Sequence, residues 1–101
     1  MNIEDLELLE KAARAAYLPW DQWVEEGNAS WNALDDDGDA LQLAVIVGVR
    51  IETPKYKGFG TSVSPLNGAT GVTVFREDRF EQTRRAIVMA AANIYDKANG
   101  I

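Results

Sequence analysis

Apolar residues recur every three to four positions at both ends of the chain. Near the start, Ile3, Leu6, Leu9, Ala13 and Ala16 with Tyr17 make one stripe, which predicts an amphipathic helix over 2–17. Asn2 can cap it, Asp5 in its first turn complements the helix dipole, and Pro19 ends it by restricting the residue before it. Near the end, Phe80, Ile87, Ala91 (with Ala90), Ile94 and Ala98 form the stripe of a second helix over 78–98. Asp78 and Glu81 stand at capping-box spacing, and Gly100 fits the position after the last turn. Arg84 and Arg85 leave that stripe and are expected to face solvent or a partner.

The middle of the chain sets two periods against each other. Leu41, Leu43, Val45, Val47, Val49 and Ile51 alternate as in a strand, whereas Leu41, Ala44, Val45 and Gly48 share a helix face. The preceding aspartates decide for a helix over about 37–47, capped by Asp36 with Asp39 three residues on. A strand follows over 49–53, where β-branched residues alternate with Arg50 and Glu52. Residues 54–71 hold two prolines and four glycines and read as a long loop, and 72–76 read as a strand pairing antiparallel with 49–53. Between the first two helices, Gly27-Asn28 is a turn signal that predicts a short hairpin with Trp23 and Trp31 on its arms; helix through 20–26 is the competing reading. The sum is a single small α+β domain over 1–101, three helices on a short antiparallel sheet in the order α-ββ-α-β-β-α.

Composition narrows the chemistry. With 101 residues, 47% apolar and 26% charged, the chain is of ordinary globular make-up. It has no His and no Cys, which excludes imidazole bases, thiolate nucleophiles, disulfides and His or Cys metal sites. The formal charge of −6 divides unevenly: residues 1–40 carry eleven acids against two bases, and residues 41–101 carry eight bases against five acids. Either the halves neutralise each other on folding, or an acidic and a basic face are presented separately. The acidic start does not read as a signal peptide, and the apolar run Leu43–Val49 is far short of the ~20 residues of a membrane span. A cytoplasmic protein without membrane contact is expected.

Three clusters invite a functional reading. Asp35, Asp36, Asp37 and Asp39 suggest a hard-cation site, but an EF-hand loop begun at Asp35 would have Ala40 and Ile46 where Gly and Glu are required. Carboxylates gathered at a helix N-terminus account for the run, and no metal ligand is assigned. The stretch Lys57-Gly58-Phe59-Gly60 matches the opening of an RNA-recognition signature, then places Thr61, Ser62 and Ser64 where stacking and aliphatic residues are needed. Lys55, Tyr56, Lys57 and Phe59 nonetheless interleave base and aromatic, as a surface gripping nucleic acid or an acidic partner would. Arg76, Arg79, Arg84 and Arg85 gather around the last helix start, either as an anion-binding surface with that loop or as counter-charges for the acidic half. Of Trp20, Trp23 and Trp31, two are expected in the core and one partly exposed.

The segment Trp31-Asn32-Ala33-Leu34-Asp35-Asp36-Asp37-Gly38-Asp39-Ala40-Leu41-Gln42-Leu43-Ala44-Val45, with Thr83-Arg84-Arg85-Ala86-Ile87-Val88, resembles a pair of motifs in small phage and prophage proteins of unassigned activity. Ala33 and Gln42 stand where that pattern has proline and arginine. The resemblance spans about a fifth of the chain and implies a phage setting, in which anti-defence inhibition is a common task. Together these readings point to a non-catalytic binding module with a protein partner and no cofactor. A nucleic-acid binder using the 55–59 loop with Arg84 and Arg85 is one alternative, and a metal-dependent enzyme using the Asp35–Asp39 cluster is another. A dimer through an exposed tryptophan or the 43–49 segment fits any of them.

Overall fold

The computed structural model describes residues 2–27, 30–56 and 58–101. α1 (Ile3–Ala15) begins where Asn2 Oδ1 accepts the Asp5 amide at 2.7 Å. Its interior positions are Leu9, Ala12 and Ala13, with Ala16 beyond its end; Ile3 and Leu6, expected on the same stripe, are exposed. α1 ends earlier than Pro19 requires. Leu18 N–H bonds Ala13 O at 2.9 Å and Tyr17 N–H bonds Arg14 O at 3.1 Å, the two bonds of a Schellman turn, with Tyr17 at φ +55 in the left-handed position. α4 (Arg79–Ala98) ends with the same pair of bonds, Ile101 N–H to Asp96 O and Gly100 N–H to Lys97 O, and there glycine occupies the left-handed position.

Among the described residues the expected hairpin does not form, and the competing reading of helix from residue 20 holds. Residues 20–25 form a short helix, α2 (Trp20–Glu25), which places Trp20 and Trp23 on one side, three residues apart. Trp31 returns from the following segment to stack on Trp23, ring centroids 5.6 Å apart at 28°, and Trp20 meets Trp23 edge-on at 6.4 Å. Trp23 and Trp31 are therefore opposed as a hairpin would oppose them, through a helix and a return instead of paired strands. Trp20 and Trp31 are buried and Trp23 is half-buried. Asn28 of the expected turn lies outside the described residues.

α3 (Asp37–Val47) carries its cap as the aspartate run implied: Asp36 accepts the Asp39 amide at 2.7 Å. The Asp39 carboxylate accepts from the Asn32 amide at 2.8 Å, which ties the Trp31 segment to the helix start. Ala40, Leu43 and Ala44 face inward, whereas Leu41, Val45 and Ile46 are exposed. Gly48, at φ +74, turns the chain directly into β1 (Val49–Glu52).

β1 pairs antiparallel with β2 (Thr61–Pro65), and β2 with β3 (Val72–Val74), giving a meander in the order β1-β2-β3. The expected pairing of 49–53 with 72–76 does not form, because β2 arises inside the segment read as a loop and lies between them. Its Thr61, Val63 and Pro65 point into the core while Ser62 and Ser64 point out, so the strand period is present in small and polar residues. Leu66 N–H bonds Gly48 O, which makes Val49 and Pro65 a pair that exchanges no ladder bonds and leaves the missing proline N–H without consequence on that side. At Gly60, any Cβ would sit 2.9 Å from Val74 O and Thr73 Cγ2, so only glycine lets the chain enter β2 beside β3.

Among the described residues the order is thus α-α-α-β-β-β-α, an α+β fold of four helices and one three-stranded antiparallel sheet. α4 is the central element: α1 lies along it, the sheet covers another side and α3 a third. Ala12 and Ala13 of α1 and Ala86, Ala90 and Ala91 of α4 are buried, and such small side chains allow the helices to approach closely. Asp78 caps α4 through the Phe80 amide at 2.8 Å. Phe80, expected on the buried stripe, is 68% exposed, because the first turn of α4 projects past the cover of the core. No helix among the described residues is long and apolar enough to cross a membrane.

Candidate functional site

The four arginines around the start of α4 do not make one surface. Arg84 donates from Nε to Leu34 O at 2.8 Å and from Nη1 to Asp37 at 2.7 Å, and Arg85 donates to Asp5 at 2.7 Å. Both are half-buried and join α4 to the acidic half of the chain, so the expectation that they face solvent or a partner is corrected. The reason is geometric: α1 and α3 flank α4 and bring Asp5 and Asp37 against successive arginines. Arg76 lies on the α1 side, lining a hollow with Glu4, Leu8, Phe75 and Arg85, and approaches Glu81 at 3.8 Å. Arg79 lies on the α3 side with Lys55 and Tyr56, and neither Arg79 nor Lys55 makes an ion pair among the described residues. Lys57 lies outside the described residues.

Three further ion pairs involve α1. Lys11 meets Asp96 at 2.9 Å, which raises the lysine pKa above its ordinary 10.5. Arg14 meets Asp21 at 2.7 Å and Glu10 at 3.0 Å; its guanidinium holds the Asp21 carboxyl below the ordinary 3.8. Lys11–Asp96 joins α1 to α4 and Arg14–Asp21 joins it to α2, while Glu10–Arg14 lies within α1; none of them lines the groove between α3 and α4.

An apolar groove of about 560 Å³ lies between α3, the start of α4 and the chain leaving β1. Ala40, Ile51, Thr83 and Ile87 make its floor, and Leu41 (62% exposed), Pro54 and Phe80 its walls. The Asp37–Arg84 pair closes one rim and Arg79 stands at another. Thr53 and Pro54 also line a separate hollow with Glu52, Lys55, Tyr56, Phe59 and Ser62 on the outer side of the sheet, and Lys55 and Tyr56 line a third with Arg79 and Phe80. Tyr56, Phe59 and Phe80 all expose most of their rings.

The loop carrying Tyr56 and Phe59 is anchored by a residue the sequence reading passed over. Gln82, 1% exposed, donates from Nε2 to Phe59 O at 3.1 Å and to Thr61 Oγ1 at 3.0 Å, and accepts the Arg76 amide at 2.8 Å. Thr61 in turn shares a hydrogen bond with Thr83 in the groove floor at 2.9 Å. α3 is apolar on more of its circumference than one core contact covers, which leaves Leu41, Val45 and Ile46 exposed.

The groove offers a surface for binding. Its one hydroxyl in the floor, Thr83, is bonded to Thr61, and its one carboxylate, Asp37, is bonded to Arg84. Among the described residues no three acids are grouped to hold a metal ion. The fit is to an apolar segment. Comparison with family models, with curated proteins and with solved structures gives no match to this chain.

Proposed function

We propose that the chain is a non-catalytic binding module that takes an apolar segment of a protein partner into the groove between α3 and α4. The observation that carries this reading is the pair of exposed apolar side chains on the groove, Leu41 and Phe80, with half-buried Pro54 between the groove and the hollow that exposed Tyr56 and Phe59 line. A soluble domain leaves few such patches open without a use for them. The resemblance of the Trp31–Val45 and Thr83–Val88 segments to phage and prophage proteins supplies the setting: an accessory protein acting on a host or phage macromolecule, with inhibition of a host defence as one such task. The nucleic-acid reading loses support because Arg84 and Arg85 are committed to Asp37 and Asp5, and Glu77 and Asp78 stand beside Lys55 and Arg79.

Affinity capture from host lysate, run in parallel with Leu41→Asp, Phe80→Asp and Tyr17→Asn, tests the reading. A protein recovered by wild type and Tyr17→Asn, and reduced about tenfold or more by both groove variants, is the expected result; tenfold corresponds to about 1.4 kcal/mol, less than one buried apolar side chain supplies. Equal recovery by all four proteins, with unchanged circular dichroism, refutes it.

A further inference from the structure

β1 is an edge strand, and its open side has a definite hydrogen-bonding phase. The Leu66 N–H to Gly48 O bond makes 48 and 66 an exchanging pair, so the ladder with β2 uses Arg50 and Glu52. The N–H and C=O groups of Val49 and Ile51 therefore point away from the sheet, and among the described residues nothing bonds them. The side chains alternate the other way: Val49 and Ile51 lie on the core face, while Arg50 and Glu52 are exposed on the opposite face and belong to no ion pair among the described residues.

We infer that this edge joins a second copy of the chain, β1 against β1 antiparallel, about a two-fold axis at Ile51. In that register Ile51 faces its symmetry mate as an exchanging pair, which its outward N–H and C=O require. Arg50 then stands opposite the mate's Glu52, and Glu52 opposite the mate's Arg50, as pairs that exchange no bonds, where facing side chains are closest. Only registers that pair odd-numbered residues satisfy the backbone. Shifting by one such step places Arg50 opposite Arg50, or Glu52 opposite Glu52. The sequence Val49-Arg50-Ile51-Glu52 thus favours one self-pairing and penalises its neighbours. An edge protected against association carries like charges or an inward-pointing lysine; this one carries a self-complementary pair at spacing two.

Val49 and Thr53 of opposite copies extend the ladder at both ends, for about six interchain backbone bonds in all. On the core face the two Ile51 side chains meet, so each groove, floored by its own Ile51, abuts the other at the axis. The inference stands apart from the groove reading, since it concerns the strand edge and not what enters the cleft.

Sedimentation equilibrium between about 5 and about 500 µM tests it, with Arg50→Glu and with the exchanged pair Arg50→Glu/Glu52→Arg. A joint this short belongs to the small end of interface sizes, so wild type should dimerise with a Kd on the order of tens of micromolar. Arg50→Glu makes both symmetry-related pairs repulsive and should weaken the dimer about tenfold or more, and the exchanged variant should restore it. Circular dichroism and thermal melting confirm that each protein is folded, and Glu52→Arg alone serves as the mirror test should Arg50→Glu fail to fold. Wild type that stays monomeric throughout overturns the inference and leaves the edge to a strand of another protein. A dimer indifferent to Arg50→Glu or to Glu52→Arg, or one not restored by the exchange, overturns it as well.

Discussion

Replacing Gln82 by Met keeps a linear side chain of similar length but removes every hydrogen bond it makes. Three contacts go: those to Phe59 O, to Thr61 Oγ1 and from the Arg76 amide. A net contribution of about 1 kcal/mol each gives about 3 kcal/mol. Two corrections oppose each other. Phe59 and Arg76 are exposed residues whose backbone groups can find water, and Met gains some apolar transfer energy; Thr61 is fully buried, and its hydroxyl keeps Thr83 alone. The expected loss is about 2–3 kcal/mol, or about 10–20 °C in Tm for a domain of this length. Urea unfolding followed by the fluorescence of the tryptophan cluster measures it, and hydrogen exchange adds a local readout, because the Arg76 amide should lose protection. A loss under about 0.5 kcal/mol, with the Arg76 amide still protected, would refute the claim that Gln82 pins the loop and the β3–α4 turn together.

Other substitutions probe the remaining joints. Tyr17→Gly places glycine at the left-handed position of the first Schellman turn, where Tyr17 is 95% exposed, and should raise stability by about 0.5–1 kcal/mol in urea unfolding. Arg84→Met should cost about 1–3 kcal/mol, since it leaves Leu34 O and Asp37 without their shared donor; thermal melts at low and high salt should both show the loss, because the carbonyl bond is not screened. Asp21→Asn should alter the pH dependence of stability. The Asp21 carboxyl is held below 3.8 by Arg14, so its contribution is present above that pH and is lost as pH falls through the lower folded value. Urea midpoints of variant and wild type should therefore differ at neutral pH and converge in strong acid.

What the sequence made legible was local. Asn2, Asp36 and Asp78 each cap the helix they precede, because a short polar side chain bonds an amide two or three residues away whatever the rest of the fold does. The same is true of Gly100, which the left-handed turn after α4 requires. β2 was hidden because its inward positions are Thr61, Val63 and Pro65 between glycine-rich flanks, and its strand character comes from β1 and β3 on either side. The tryptophans misled in the opposite sense: a turn signal suggested strands, whereas packing Trp20 and Trp23 together needs a helical spacing of three. Arg84 and Arg85 read correctly as lying off the apolar stripe; their partners, Asp37 and Asp5, are 47 and 80 residues away and become visible only when α1 and α3 close on α4. The groove depends on that same closure. Leu41 and Phe80 are apolar residues that the core leaves uncovered, which neither period nor composition distinguishes from residues it covers.

The central claim, that the α3–α4 groove is where a partner binds, is tested most directly by a photo-crosslinking side chain placed at position 41, at position 80 and, as a control, at exposed position 17. Positions 41 and 80 should give the same crosslinked protein from the lysate used for affinity capture, and position 17 should not. The same crosslinks from all three positions, or none from 41 and 80, would contradict the account.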